Sequence, residues 1–183
     1  MDHAPASIVT GSRVTLRRRH PSDDEAMHRL VVEALPHLRP WMPWATDAYD
    51  LAAARDNSAE CDRAWAEHTA YAYVILLGPE PVGACELRRL AGGITMELGY
   101  WLHPGYTGRG LATEAAGLLV EQAFALPGIV AVEIWHDAAN TASGRVARRL
   151  GFTEVARRTP PREPLTPGEV GIDVVWRITR PGS

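Results

Sequence analysis

Apolar and polar residues alternate most regularly between Ile94 and Leu102. One face carries Ile94, Met96, Leu98, Tyr100 and Leu102, and the opposite face carries Thr95, Glu97, Gly99 and Trp101. This period of two predicts a β-strand, which ends at His103-Pro104-Gly105. After Gly110 the chain changes to small and aliphatic residues without proline until Pro127, which predicts a helix that packs closely on a sheet.

Similar patterns predict the other elements. Strands are expected at Ser12 to Arg17, Tyr71 to Leu77, Val82 to Leu90, Ile129 to Trp135, Thr153 to Arg158 and Val170 to Ile178. Helices are expected after Pro21, from Thr46 to about His68, and around a face formed by Ala142, Val146, Ala147 and Leu150. The strand at Ile94, the helix after Gly110 and the strand at Ile129 predict a βαβ crossover. A cleft is expected where its two parallel strands diverge.

The N-terminal region combines a basic cluster with a helix start. The first 12 residues are expected to fray at their start. The cluster from Arg17 to His20 is expected to lie in solvent, although it could also guide an acidic partner. Ser22 and Glu25 have the spacing of a capping box, which predicts that Ser22 caps the helix.

A proline-rich segment from Leu35 to Trp44 follows that helix. Its three prolines are expected to break the helix. Trp41 and Trp44 offer broad apolar surface, so they either pin the loop to the core or form the wall of a substrate pocket.

Composition narrows the class of protein. The chain has 183 residues, of which 46% are hydrophobic and 22% charged, enough for one domain spanning residues 1–183. A net charge of −3 gives no overall basic field to hold nucleic acid. No apolar run approaches the roughly 20 residues that cross a bilayer, and no signal-peptide region is evident, so no membrane association and a cytoplasmic location are expected. The two cysteines, Cys61 and Cys85, lack metal-ligand spacing, so no metal site is expected.

The turn from Thr107 to Ala112 is glycine-rich and opens the helix after Gly110. Glycines let backbone N–H groups converge, and a helix N-terminus adds unpaired donors, so the turn suits a phosphate or pyrophosphate. Arg109 could add a charged contact or lie in solvent. A Walker A loop is excluded because the chain contains no lysine, and a dinucleotide fingerprint fails because its last glycine position is Thr113.

This turn resembles the coenzyme A-binding motif of the GNAT acyltransferases, Arg/Gln-x-x-Gly-x-Gly/Ala. Its positions fall on Thr107 through Ala112, and Thr107 departs from the expected first residue. The longer phrase Glu-Leu-Gly-Tyr-Trp-Leu-His-Pro, followed by Gly-Arg-Gly-Leu-Ala-Thr-Glu-Ala, is similar to the RimJ/RimL-like branch, which acetylates the N-termini of ribosomal proteins.

The resemblance implies an α/β (α+β) GNAT fold. Its mixed, mostly antiparallel sheet would have about seven strands, splayed between two parallel central strands and flanked by about four helices. It also implies acetyl-CoA as co-substrate. The residues expected to bind the coenzyme are Tyr100, Trp101, Leu102, Thr107, Gly108, Arg109, Gly110, Leu111, Ala112, Thr113, Asn140 and Ser143.

A second part of the resemblance begins at Asn140. Asn140-x-x-Ser143, with Gly-Phe eight residues after the serine, is similar to a family segment in which the asparagine contacts the pantetheine arm. Many members place a tyrosine seven residues after the asparagine as general acid, but this chain has Ala147 there. The RimJ/RimL-like branch has a serine near the coenzyme sulfur, which implies that role for Ser143.

Acyl transfer to an amine needs a base, stabilisation of the carbonyl oxygen and protonation of the leaving thiolate. Glu97 is the candidate base, directly or through water, although a surface ion pair is the alternative. A bulge at Gly99 could free backbone donors for the carbonyl oxygen, and Ser143 could donate to the sulfur. Direct attack needs no covalent intermediate, and a Cys85 nucleophile is disfavoured.

Three functions remain open from the sequence. The first is acetylation of a protein or peptide N-terminal amine, with Trp41, Trp44 and Glu97 near the acceptor. The second is the same chemistry on a small amine, such as an amino acid, a polyamine or an antibiotic. The third is a non-catalytic coenzyme A sensor. A monomer or a homodimer is expected.

Overall fold

Eight strands form one sheet within the residues that the computed structural model describes, 4–180 and Gly182. The strands are β1 (Ile8–Thr10), β2 (Val14–Arg18), β3 (Ala70–Leu77), β4 (Glu80–Arg89), β5 (Thr95–Leu102), β6 (Ala131–Asp137), β7 (Thr153–Arg158) and β8 (Asp173–Thr179). The helices are α1 (Asp24–Leu38), α2 (Leu51–Ala66), α3 (Leu111–Ala125) and α4 (Thr141–Arg149). The strand order is β1-β2-β3-β4-β5-β6-β8-β7, so β8 inserts between β6 and β7.

The βαβ crossover predicted around Gly110 is confirmed. Strand β5 leads into α3, and β6 then pairs in parallel with β5. The other paired strands of the described sheet are antiparallel. The mixed, mostly antiparallel GNAT architecture is therefore confirmed, with eight strands where about seven were expected.

The two faces of the sheet have separate apolar cores. Met96, Leu98 and Leu102 of β5 pack in one cluster with Leu111 and Leu119 of α3. On the opposite face, Trp101 of the same strand packs against an apolar cluster that includes Val31 and Leu35 of α1. Alternation along β5 thus sends successive side chains into two different layers, as its sequence pattern predicted.

Several details of the N-terminal third differ from the sequence predictions. Strand β1, which the sequence patterns did not predict, pairs with β2 in an antiparallel arrangement. The fraying expected at the start of the chain falls on residues 1–3, which lie outside the described residues. Ser22 does not cap α1, because it lies in a 3₁₀ turn, Pro21–Asp23, that precedes the helix. His20 caps this turn: its side chain accepts from the Ser22 N–H, and Asp23 accepts from the His20 N–H. The N-cap of α1 itself is Asp23, which makes no side-chain capping bond. Helix α1 continues through Pro36 to Leu38.

The basic cluster and α4 also need correction. Arg19 is only 6% exposed, because it is covered by α1 and α2 and bonded to Asp24. Ala142 is exposed, and Gly144 takes the buried position beside His136. Within the described residues, no helix is both long and apolar enough to cross a bilayer.

Candidate active site

A gap opens between the two parallel strands. The β5–β6 pairing ends at Glu97 and Glu133. Beyond that pair β5 follows β4 as far as Leu102, and β6 follows β8 as far as Asp137. The register of β4 with β5 is continuous past Gly99, so the predicted bulge is wrong. Instead of a bulge, the divergence of β5 from β6 leaves backbone groups of β5 without a partner strand.

The N-termini of α3 and α4 lie at this divergent end. Each helix follows the strand that borders the gap, so its first N–H groups and positive dipole end are close to the cleft. Gly110 is the N-cap of α3 and has φ = 77°. It offers no side chain to cap the helix, so the donors of the first turn remain available for a ligand.

The glycine-rich turn leaves space in front of those donors. A Cβ added at Gly108, which has φ = 72°, would meet nothing within 4 Å. A Cβ added at Gly110 would lie 3.2 Å from Nη2 of Arg13. Open space, uncapped N–H groups and a nearby guanidinium are what a pyrophosphate requires. The turn therefore fits coenzyme A.

Arg13 and Glu114 support the turn, and neither was assigned a role from the sequence. Nη1 of Arg13 donates to the carbonyl of Arg109 at 2.6 Å, and its Nε donates to Glu114 at 2.9 Å. Burial alone would raise the pKa of Glu114. Hydrogen bonds from the backbone N–H and guanidinium of Arg13, the Val14 N–H and the Ser12 hydroxyl instead lower that pKa to about 2. The anionic carboxylate thus ties the start of β2 to the first turn of α3.

Other predicted coenzyme residues have local structural roles as well. The Thr107 hydroxyl donates to the carbonyl of Pro104 at 2.9 Å, which closes the turn after β5. Leu111 is buried, so it can reach a ligand only through its backbone, whereas Ala112 and Thr113 are partly exposed. The guanidinium of Arg109 lies over the ring of Tyr106, 5.7 Å from its centroid.

Tyr100 and Ser143 meet across the gap. Their hydroxyl oxygens are 2.9 Å apart, so one hydrogen bond joins β5 to α4. Burial raises the pKa of Tyr100 to about 12 and outweighs the opposing hydrogen bond from Ser143, so the phenol stays protonated at neutral pH. Asn140 caps α4, since its Oδ1 accepts from the Ser143 N–H at 3.3 Å. The structure therefore brings a tyrosine hydroxyl to α4 from β5, although Ala147 occupies the family's tyrosine position on the helix.

Glu97 lies at the base of the gap and forms an ion pair. Both of its carboxylate oxygens accept from the guanidinium of Arg162, and the Nη1–Oε2 distance is 2.8 Å. Arg162 also stacks on Trp135, 4.3 Å from the ring centroid. Because Arg162 belongs to the proline-rich loop between β7 and β8, that loop crosses the sheet beside the gap.

Asp137 anchors the end of the same loop. Its carboxylate accepts from the backbone N–H groups of Val170, Gly171 and Ile172 at 3.0, 2.8 and 3.1 Å. Burial would raise the pKa of Asp137, but these bonds and one from Ala139 lower it. The ionised carboxylate thus fixes the segment that leads into β8.

A cavity of about 590 Å³ occupies the face of the sheet under α1 and α2. It reaches Gly99, Tyr100 and Trp101 on β5, next to the gap. Trp44 lies in its wall, with its ring centroid 6.1 Å from that of Trp101. Trp41 and Glu97 are not among the lining residues. The structure thus brings one of the three predicted substrate residues into the cavity wall.

The two cysteines are free thiols that also line this cavity. Burial raises the pKa of Cys61 to about 11 and raises that of the fully enclosed Cys85 further. Neither thiol is ionised near neutral pH, which disfavours a cysteine nucleophile. Among residues 4–180 and Gly182, no three His, Cys, Asp or Glu side chains are grouped to hold a metal ion.

Known proteins resemble the chain in sequence and in fold. A family model described as an acetyltransferase (GNAT) domain matches residues 13–153. A search of curated proteins gave no match. A RimL ribosomal L7/L12 α-N-protein acetyltransferase, solved with coenzyme A, is 20% identical, with a TM-score of 0.88, covering 96% of this chain and 99% of that one.

Two further solved structures show the same fold. An acetyltransferase from Salmonella typhimurium that modifies the N-terminal serine of L7/L12 is 21% identical, with a TM-score of 0.83, covering 94% of this chain and 99% of that one. The microcin C7 self-immunity acetyltransferase MccE, solved with acetyl-CoA and AMP, is 17% identical, with a TM-score of 0.85, covering 93% of this chain and 94% of that one. The chain belongs to the GNAT acetyltransferases, enzymes that use acetyl-CoA, in agreement with the RimJ/RimL-like resemblance of its sequence.

Proposed function

We propose that the enzyme acetylates a primary amine by direct attack on acetyl-CoA in a ternary complex, at the gap between β5 and β6. One observation carries the proposal. On one side of the gap lies the glycine-rich turn, where α3 begins without a side-chain cap. On the other side lies the cavity, which reaches Gly99 of β5. Donor and acceptor bound on these two sides would meet at the same strand, which favours a reaction without a covalent intermediate.

The coenzyme side uses the predicted residues together with Arg13. Backbone N–H groups from Gly108 to Thr113 bind the pyrophosphate, and Arg13 and Arg109 supply positive charge. The opened edge of β5 from Tyr100 to Leu102, with Asn140 and Ser143 opposite it, borders the pantetheine arm. Backbone donors on that edge are placed to stabilise the carbonyl oxygen as it becomes negative.

The hydroxyl pair is the proposed proton donor. Ser143 donates to the departing sulfur while the protonated phenol of Tyr100 donates to Ser143, so the two hydroxyls act in series. Tyr100 thus supplies the phenol that the family's tyrosine would supply, since this chain has Ala147 at that position.

Glu97 is the proposed base, acting directly or through water. Arg162 holds both of its oxygens, so a proton reaches Glu97 only when the guanidinium releases one of them. Glu86 is a second carboxylate, which the sequence did not single out. It lines the cavity and is the register partner of Gly99 on β4, and Arg88 donates to only one of its two oxygens.

A peptide N-terminal amine is the first candidate acceptor. Trp44, Tyr49 and Trp101 give the cavity aromatic walls that can pack around a first residue. A fold neighbour that modifies an N-terminal serine supports this choice. A small amine is the second candidate, because the cavity volume of about 590 Å³ is that of a small-molecule site. A non-catalytic sensor would need neither Glu97 nor Ser143.

Thiol release from acetyl-CoA tests the proposal. The acceptors are N-terminal peptides, polyamines, amino acids and aminoglycosides, and Glu97→Gln and Glu86→Gln are compared with the native enzyme. Release with one acceptor class, reduced at least about 100-fold in Glu97→Gln, is expected from the loss of a general base. Normal turnover in Glu97→Gln with loss in Glu86→Gln would move the base to β4. Coenzyme binding without release on any acceptor would support the sensor.

Other expectations remain predictions. These are a cytoplasmic location, a monomer or homodimer, and the absence of nucleic-acid and membrane partners.

A further inference from the structure

The floor of the cavity is a row of four residues, which runs from Arg19, directly after β2, across β3 and β4 to β5. The Arg19 N–H donates to the carbonyl of Ala72 at 3.0 Å, Ala72 is the register partner of Glu86, and Glu86 is that of Gly99. All four line the cavity. Three strand spacings separate the ends of the row, roughly 14 Å. Ala72 and Gly99 have little or no side chain, so Arg19 and Glu86 are the two charged groups of the floor.

Arg19 has hydrogen-bonding capacity that the protein does not use. Its side chain is 6% exposed, and Nη2 donates to Asp24 at 2.9 Å and to the carbonyl of Ala54 at 3.3 Å. Its Nε is enclosed and has no partner within the described part of the chain. The enclosed Nε is out of reach of a ligand. Nη1 also has no hydrogen bond within the described part of the chain, and it belongs to a charged group that lines the cavity, so it can donate to an oxygen acceptor from outside.

Arg19 and Glu86 act on the same interior space. The thiol of Cys61, which also lines the cavity, has its pKa raised first by burial and then by the charge of Glu86, while the charge of Arg19 opposes the rise. Burial raises the pKa of Tyr49, and the charge of the Arg19 guanidinium opposes this rise. The cavity thus has the Glu86 carboxylate near Gly99 and the Arg19 guanidinium near β2, while Arg88, which also lines the cavity, is bonded to Glu86.

We propose that the acceptor is an amine that also carries a carboxylate, with the amine bound beside Glu86 and Gly99 and the carboxylate received by Arg19. This inference rests on the proposed function and names its substrate class. Glu86 attracts the ammonium group to the strand where transfer occurs, and Arg88 holds the Glu86 carboxylate through a hydrogen bond of 2.9 Å. Trp44, Tyr49 and Trp101 pack against the apolar part of the acceptor.

Two sources can present this chemistry. One is a free amino acid or a small derivative of one. The other is a peptide whose N-terminal residue is Asp or Glu, so that its side-chain carboxylate enters the cavity with the terminal amine.

Pairs of acceptors that differ only in a carboxylate or an amide show whether the carboxylate is recognised, and whether it belongs to an amino acid or to a peptide. Phenylalanine is compared with phenylalanine amide, and a tetrapeptide beginning with Asp is compared with the same peptide beginning with Asn. For the source that fits, we expect kcat/KM to favour the carboxylate by roughly 10- to 100-fold, the effect of a hydrogen bond to a charged group. The preference should lie in KM, because Arg19 is remote from the reacting atoms.

Variants of Arg19 connect the preference to this residue. In Arg19→Gln the ratio of kcat/KM for the carboxylate acceptor to kcat/KM for the amide acceptor should fall to about one. Because Arg19→Gln leaves Asp24 buried without its partner, the double variant Arg19→Gln/Asp24→Asn keeps a neutral hydrogen-bonded pair and should give the same result. Arg18→Gln is the control, since Arg18 pairs with Asp62 and stacks on Trp65 and does not line the cavity.

The outcomes are distinct. Equal kcat/KM for carboxylate and amide acceptors in the native enzyme would overturn the inference and leave the acetyltransferase proposal intact. A carboxylate preference that survives in the double variant would also overturn it. No transfer to any amine, with coenzyme bound, would overturn the proposed function itself.

Discussion

Glu114 should hold the coenzyme turn together, and Glu114→Gln is the change that tests it. The carboxylate accepts from the N–H and Nε of Arg13, the N–H of Val14 and the hydroxyl of Ser12, at 2.7, 2.9, 3.3 and 3.1 Å. Glutamine has the same shape but no charge, and its NH₂ group faces donors. The substitution should therefore loosen Arg13 from the turn and weaken coenzyme A binding.

The magnitude follows from the pKa of Glu114. A fall of this pKa from 4.5 to about 2 corresponds to at most about 3–4 kcal/mol of folding free energy. The Arg13 side chain is 50% exposed, so solvent screening reduces the effect, and we expect about 1–2 kcal/mol. For a chain of this length the midpoint of thermal unfolding should fall by about 3–6 °C.

The assay is thermal unfolding at a series of pH values, with exposed Glu121→Gln on the same helix as control. Because the pKa of Glu114 is lower in the folded state, its contribution is complete above pH 4.5 and is lost as the pH falls toward 2. The difference between native and Glu114→Gln proteins should shrink over that range. A difference below about 0.5 kcal/mol at pH 7, or one unchanged at pH 3.5, would refute the reasoning.

Three further predictions concern the site. Tyr100→Phe should lower kcat by about 10-fold or more without weakening coenzyme binding, since it removes only the hydroxyl that donates to Ser143. Unchanged kcat in steady-state kinetics would show that the phenol takes no part in proton transfer. Because the pKa values of Cys61 and Cys85 are raised, iodoacetamide should modify both slowly at pH 7.5, and mass spectrometry showing rapid labelling would contradict their assignment as neutral thiols. Arg162→Gln should free the carboxylate of Glu97 to accept a proton and raise kcat, and an unchanged kcat would argue against Glu97 as base.

Local patterns predicted the parts of the site that depend on neighbouring residues. The strand β5 was predicted from the alternation of its apolar residues, and the turn before α3 was predicted from glycines that can adopt left-handed backbone conformations. Both are confirmed. The meeting of Tyr100 with Ser143 was not predicted as a bond, because 43 residues separate them and only the crossover connection brings them together.

Other features depend on tertiary packing that the sequence pattern does not encode. Arg19 looked like part of a solvated cluster, but α1 and α2 cover it and Asp24 compensates its charge. Arg13 and Glu114 are about a hundred residues apart, so their pairing had no local signal. The bulge expected at Gly99 is replaced by divergence of β5 from β6, which depends on the pairing of β6 with β8.

The most direct test of the coenzyme site is a calorimetric titration of coenzyme A into the native protein and two glycine variants. Gly110→Asp places a charged side chain at φ = 77° before α3, and Gly128→Asp imposes the same type of backbone strain at φ = 75° beyond the other end of that helix. The account predicts that Gly128→Asp binds coenzyme A as the native protein does, and that Gly110→Asp, although folded, loses binding by at least about 100-fold because an anion faces the pyrophosphate. Native affinity in a folded Gly110→Asp protein would contradict it.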